Sequence, residues 1–167
     1  IGIKFNTRSI GDNVKGGAVK HLGKLPIYST VDKSVKMFTQ VTRGGSATVS
    51  FSVYDPEVRE IIMVKSQRTP ENKRIDKLDY SMCYDNDFVE AVIKDGDLQT
   101  VSLNGVLGPK YKARDILKDF LTIRKETGRI YCFNLSEANN HTPFIDSVNQ
   151  SNLCVAPETK ILTNLGY

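Results

Sequence analysis

The sequence predicts an α/β domain with parallel strands, and three features point that way. Short segments rich in β-branched and aromatic residues take turns with segments whose apolar side chains recur every three or four positions. Such alternation marks strands joined by crossover helices. Helix punctuation falls at the joints: Asp55-Pro56 opens one candidate helix and Gly128 closes another. The composition agrees, with 40% apolar and 25% charged residues, so a chain of 167 residues can bury one sizeable core.

Residues 1–5 read as a short buried strand already under way at Ile1. Residues 6–24, rich in Gly, Asn and Lys, read as a long polar loop, a feature that in compact domains usually serves function. Within 32–41, Val35, Phe38 and Val41 give an amphipathic helical stripe. "SATVSFSVY" (46–54) is a strand, and "DPEVREIIMVK" follows as a helix with Asp55 as N-cap, Pro56 in its first turn and Glu57 close behind. Residues 66–77 form a second polar stretch carrying four basic side chains. A strand (79–84), a helix (85–94, closed by "DGD") and another strand (98–103) come next. The clearest helix is 113–128, with Ile116, Leu117, Phe120, Leu121 and Ile123 as its apolar residues and Gly128 as its C-cap. Residues 129–135 read as a buried strand.

A net charge of +4 suits anionic ligands such as nucleotides, but without a concentrated basic stripe it is no footprint of nucleic-acid binding. No apolar run reaches membrane-span length and no signal-peptide pattern opens the chain, so neither membrane nor export is expected. Cys83, Cys132 and Cys154 are too scattered for a disulfide framework or a metal site. Cys83 and Cys132 read as core residues in a reducing, cytoplasmic setting. A chain that starts on Ile1 and stops within the strand-like "KILTNLGY" reads as a fragment cut at both ends.

Strings in series carry the reading further: "LPIY" (25–28), "RGGSATVSF" (43–51), "EVREIIMVK" (57–65), "KRIDKLDYSM" (73–82), "TGRIYCFN" (127–134), "NNHTPF" (139–144) and "QSNLC" (150–154). In this order and at this spacing they resemble the large (alpha) subunit of class I ribonucleotide reductase across essentially all of residues 1–154. Around 104–112 the chain departs, with "NGVLGPKYK" where the family carries a longer helical insertion. The resemblance implies a ten-stranded α/β barrel around a central finger loop, of which residues 1–153 supply several early strands and the finger's rising limb. A partial barrel leaves strand edges and apolar faces unpaired, so this segment alone is expected to be marginal or aggregation-prone, and inactive.

The resemblance also implies the chemistry. In the family a cysteine thiyl radical abstracts the ribose 3′ hydrogen of a nucleoside diphosphate, weakening the 2′ C–O bond. Cys154 stands at the radical-cysteine position, and Asn152 at that of the asparagine that hydrogen-bonds the substrate hydroxyl, with Ser151 beside it. His141 and Pro143 of "HTPF" shape a turn. Residues 6–24 and 66–77 correspond to the two loops that read a deoxynucleotide or ATP as allosteric effector. Arg8 and Lys15 would hold effector phosphates, and "KGG" (15–17) permits close backbone approach. Gln67 and Arg68 belong to the second loop, with Arg68 relaying effector identity to the substrate base; Thr69 and Pro70 stand where the family has small, flexible residues. No cofactor is implied on this segment. The radical would come from a metal-containing small subunit, electrons from thioredoxin or glutaredoxin, and the large subunit would pair as a homodimer. The family's reducing cysteine pair falls outside this chain, at neither Cys83 nor Cys132.

The family pattern needs a glutamate two residues after the radical cysteine, and Ala156 is there instead. "CVAPETKILTNLGY" (154–167) resembles the opening of an intein, an initial Cys followed by Thr159, Ile161, Thr163 and Gly166 in a T-x-I-x-T-x-x-G pattern. Under that resemblance residues 154–167 are the first strand of a truncated Hint-type splicing domain. Cys154 is then the splicing nucleophile, attacking the Leu153 carbonyl to form a thioester. Two alternatives stand: a divergent uninterrupted reductase with Cys154 as the radical cysteine, and a catalytically dead, nucleotide-binding reductase-like module. A phage gene acting in a bacterial host fits the intein.

Overall fold

The computed structural model describes residues 1–37 and 44–151. In chain order the elements are β1 (Gly2–Lys4), a small hairpin of β2 (Asn13–Val14) and β3 (Val19–Lys20), and helix α1 (Leu25–Met37). Then come β4 (Thr48–Ser52), α2 (Val58–Met63), β5 (Asp79–Tyr84) and α3 (Asn86–Ile93). A second hairpin of β6 (Asp97–Val101) and β7 (Leu107–Lys112) leads to α4 (Ala113–Thr127), β8 (Ile130–Asn134) and α5 (Leu135–Asn140). The expected parallel α/β arrangement is present: β1, β4, β5 and β8 form one sheet in the order β1-β4-β5-β8, every pairing parallel.

Side chains alternate across this sheet with period two. Val49, Phe51, Val53, Tyr80, Met82 and Ile130 form one apolar cluster with Tyr28 of α1, Ile61 and Ile62 of α2, and Ile116, Phe120 and Ile123 of α4. Truncating one such isoleucine to Ala would cost about 2–5 kcal/mol. The opposite register set is polar: Lys4 pairs with Ser50, Ser50 with Ser81, and Ser52 with Cys83. Ser50, Ser81 and Cys83 are buried all the same. A sheet buried on both faces fits an all-parallel ladder.

Helix ends follow local chemistry. The Asp85 carboxylate accepts the Phe88 N–H at 3.0 Å, capping α3, and Gly128 closes α4 at φ 66 with its N–H on Arg124 O at 2.9 Å.

Several expectations need correction. Helix α1 begins at Leu25, with Pro26 in its first turn, whereas the apolar spacing predicts a helix only from residue 32; Phe38 and Val41 lie outside the described residues. Asp55 is not the N-cap of α2: its carboxylate accepts the Glu57 N–H at 3.0 Å and its carbonyl the Val58 N–H at 2.9 Å, a turn that delays the helix to Val58. Residues 104–112 are mostly strand, paired antiparallel with β6, and Pro109 is tolerated because it lies in a two-stranded hairpin. β8 is the last strand of the sheet, with only Ile130 buried. Cys132, read as core, is therefore exposed, while Cys83 on the inner strand β5 is buried as expected. The polar loop 6–24 contains the β2–β3 hairpin around a 3-10 turn at Lys15–Gly17.

Candidate functional site

The site gathers at the carboxyl ends of β1 and β4, where parallel α/β sheets commonly hold ligands. A cavity of about 170 Å³ opens there. Its walls include Lys4, Asn6 and Thr7 from β1 and the start of the first loop, Ser50 and Ser52 from β4, and Lys24 beside Asp55. Lys24 and Asp55 form a buried ion pair. Phe5, Phe51, Val101 and Leu103 also line the wall, so it mixes hydroxyl, amide and ammonium donors with apolar surface, which suits a ligand that carries hydroxyl or phosphate oxygens on a less polar body.

Glu57 fastens the first loop to this wall. Its carboxylate accepts the Ile10 N–H at 3.0 Å on one oxygen and the Lys24 N–H at 2.9 Å on the other. Burial pushes the Glu57 carboxyl above its usual pKa, and those two N–H bonds work against that rise. Gly23 is obligatory beside it: φ is +91, and a Cβ would lie 2.2 Å from a Glu57 oxygen. Within the loop, buried Asp12 accepts the Ser9 N–H at 2.9 Å, and Asp12 O accepts the His21 N–H at 2.9 Å.

The second loop is anchored at both ends. Thr69 Oγ1 donates to Met63 O at 2.7 Å, and Arg74 donates to Gln67 O and Thr69 O, each at 3.0 Å. Buried Lys65 donates to Asp76 O at 2.9 Å and to Leu78 O, and burial holds its ammonium pKa below the usual value. Arg68 pairs with Glu126 of α4 at 2.6 Å, and Ser66 Oγ donates to the other oxygen of the same carboxylate at 3.2 Å.

The sequence-predicted site residues fall into separate places. Arg8 and Lys15 are exposed on the first loop, and Lys15 takes a positive φ of 50 at the head of its turn. Among the described residues no hydrogen bond or ion pair joins either of them to Gln67 or Arg68. Ser151 is described and exposed, whereas Asn152 and Cys154 lie outside the described residues, as do the intein-like residues 154–167. The chain leading to them is nonetheless brought onto the polar side of the sheet: Lys4 Nζ donates to Asn149 O at 3.2 Å, and Cys83 Sγ lies 4.0 Å from the same oxygen. Burial pushes the Cys83 thiol pKa up, against the nearby Lys4 charge, so Cys83 sits there as a neutral thiol.

Sequence reasoning missed Lys4, Glu57 and Asn139. Lys4 and Glu57 had a legible but ambiguous signal, as a lysine in a strand and a first-turn acid. Asn139 was visible only as part of the "NNHTPF" string.

Comparison with known proteins decides the family. The model of the ribonucleotide reductase barrel domain matches residues 1–159. The chain belongs to that family. The ribonucleoside-diphosphate reductase 1 subunit alpha of Salmonella typhimurium is 28% identical over 191 residues, covering 95% of this chain and 25% of the relative. The subunit alpha of Enterobacteria phage T4 is 28% identical over 94% of this chain and 25% of its own length. The large subunit of Invertebrate iridescent virus 6 is 28% identical over 99% of this chain and 18% of its own. The chain thus spans about a quarter of the length of the curated bacterial and phage reductases it matches. The 191 aligned positions exceed the 167 residues of this chain, so the Salmonella reductase carries extra residues within the matched span. The tight β6–β7 hairpin stands where the sequence suggested an abbreviation. Among the described residues of this family member, no helix is long and apolar enough to cross a membrane.

Proposed function

We propose that this chain is part of the large catalytic subunit of a ribonucleoside-diphosphate reductase, acting in the cytoplasm to make deoxyribonucleotides for DNA synthesis. Residues 1–153 supply early strands of a ten-stranded α/β barrel, and the rising limb of its finger loop carries residues 150–153 to the centre. The observation that carries this reading is a family match over residues 1–159, joined to the passage of Asn149 across the polar face of the sheet. The cavity beside Lys4, Asn6, Thr7 and Ser50 then receives the ribose and phosphate oxygens of a nucleoside diphosphate. Ser151 and Asn152 bind substrate, with Asn152 hydrogen-bonding its hydroxyl.

In this reading the two anchored loops serve effector control. Arg8, Lys15 and Gln67 hold a deoxynucleoside triphosphate or ATP, and Arg68 carries the signal to the substrate base after leaving Glu126. A homodimer of large subunits, a metal-containing small subunit that supplies the radical, and thioredoxin or glutaredoxin as reductant complete the enzyme.

Residues 154–167 begin an intein, and Cys154 is its nucleophile; the radical cysteine is then the first residue after the intein. The support is the intein-like motif together with Ala156, where the family places glutamate. A second reading has its own observation: the family match continues past Leu153 to residue 159. That favours an uninterrupted reductase with Cys154 as the radical cysteine. Expressing the complete gene with its small-subunit partner separates these outcomes. Effector-dependent reduction of nucleoside diphosphates, with a mature subunit shorter than the gene predicts, supports reductase and intein together. Activity from a full-mass, unspliced product refutes the intein. Nucleotide binding without turnover in the mature protein favours the catalytically dead module.

A further inference from the structure

We propose that Asn139 and Lys4 are positioning residues that clamp the backbone at Val148 and Asn149 and so set where residues 150–153 enter the reaction centre. The proposal rests on the reductase reading given above. The Asn139 side-chain amide faces the main chain of Val148 as a neighbouring strand would. Its Oδ1 accepts the Val148 N–H at 2.7 Å and its Nδ2 donates to Val148 O at 2.9 Å. Two bonds to one residue fix orientation as well as distance; a single bond would leave the segment free to pivot. One residue on, Lys4 Nζ donates to Asn149 O at 3.2 Å.

Both anchors rest on ordered elements. Asn139 Nδ2 also donates to Leu135 O at 2.7 Å, tying the side chain to the first residue of α5. Lys4 sits in β1, paired in register with Ser50 of the central strand β4. Among the described residues the stretch between α5 and the clamp has few other ties: His141 Nε2 lies 3.6 Å from Glu137 Oε2, and the Phe144 N–H donates to Thr142 Oγ1 at 3.2 Å. Phe144 and Ile145 are exposed. Asn152 is three residues past Asn149, at most roughly 11 Å of extended chain. An error at the clamp is therefore passed almost directly to the reacting groups, where a misplacement of about 1 Å can cost on the order of a hundredfold in rate.

The test uses the full-length large subunit with its radical-generating partner. N139A should lower kcat by about 10- to 100-fold, with the nucleotide KM and the effector Kd changed less than about twofold, because it removes positioning rather than binding; K4M, whose ammonium also lines the substrate cavity, should lower kcat and raise KM together. K4R, which keeps a donor in reach, should recover most of the kcat lost in K4M. N139D, which keeps the acceptor for Val148 N–H but opposes its carbonyl, should fall between wild type and N139A. Amide exchange at Val148 supplies a readout independent of turnover, and N139A should lose about tenfold or more of its protection. Unchanged kcat in both N139A and K4M, or a rise in KM at constant kcat in N139A, overturns the proposal. Should the wild-type subunit reduce no nucleotide, the reductase reading fails, and Val148 exchange still judges the clamp. Equal protection in wild type and N139A then refutes it.

Discussion

Glu57 joins the first loop to the start of α2, and its removal gives the sharpest test of the architecture. In Glu57→Gln one oxygen remains to accept, while the new amide NH2 confronts the second N–H. A hydrogen bond to a charged acceptor contributes about 1.5–3 kcal/mol. Burial has already raised the Glu57 carboxyl pKa, so desolvation offsets part of that value, and the lower end applies. A loss of about 1.5 kcal/mol is roughly tenfold in a local opening equilibrium. In Glu57→Ala both the Ile10 and Lys24 N–H groups lose their acceptor. Leaving two such donors unsatisfied costs about 3 kcal/mol, or more than a hundredfold. The assay is amide hydrogen exchange in the full-length subunit, comparing Ile10 and Lys24 with Tyr80 in the centre of β5. The two loop amides should lose protection in the order wild type, E57Q, E57A, while Tyr80 stays protected. Unchanged protection at Ile10 and Lys24 in E57A would refute the reasoning. Equal loss at Tyr80 would also refute it, because Glu57 would then hold up the whole domain rather than the loop.

Gly23→Ala should loosen the same junction by at least about 1–2 kcal/mol, since φ is +91 and the new methyl would meet the Glu57 carboxylate at 2.2 Å; exchange at Ile10 and Lys24 reports it. The Asp97 carboxyl is held down to about 2 by Lys112 and Lys110. A lowered native pKa contributes stability above the unfolded value of 3.8 that is lost as pH falls toward 2. Protection in β6 and β7 should therefore weaken between pH 4 and pH 2 in wild type, as this window predicts, and D97N should remove that dependence. Glu126→Gln should change stability by less than about 1 kcal/mol, because the Arg68 pair is largely exposed. Under the proposed function it should also ease Arg68's engagement, tightening effector response by no more than about fivefold, whereas Arg68→Ala should abolish effector-dependent choice of base.

The strands were legible wherever the chain alternates. Thr48-Val49-Ser50-Phe51-Ser52 and Asp79-Tyr80-Ser81-Met82-Cys83 show period two plainly, and α4 announces itself by spacing and by Gly128. The same alternation misleads about burial. A polar register set ordinarily faces water, yet Ser50 and Ser81 are buried. β7 was illegible for a different reason: Gly108-Pro109 argues against a strand, and only a hairpin partner without a further neighbour makes Pro109 tolerable. The start of α1 was hidden because Pro26 reads equally well as a breaker and as a first-turn residue.

The site divides along the same line. Residues identified by motif, such as Arg8, Lys15 and Arg68, are side chains that reach outward, and their chemistry is written in their type. Residues that hold the site together act through backbone partners distant in sequence: Glu57 on Ile10, Asn139 on Val148, Lys4 on Asn149. A carboxylate in a first helical turn, or an asparagine before a turn, has an ordinary local explanation that satisfies any reading by type. Only the tertiary contact shows that the local explanation is incomplete. Under the proposed function, where rate depends on how closely the reacting groups are placed, these backbone-holding residues have as strong a claim on rate as those that touch substrate.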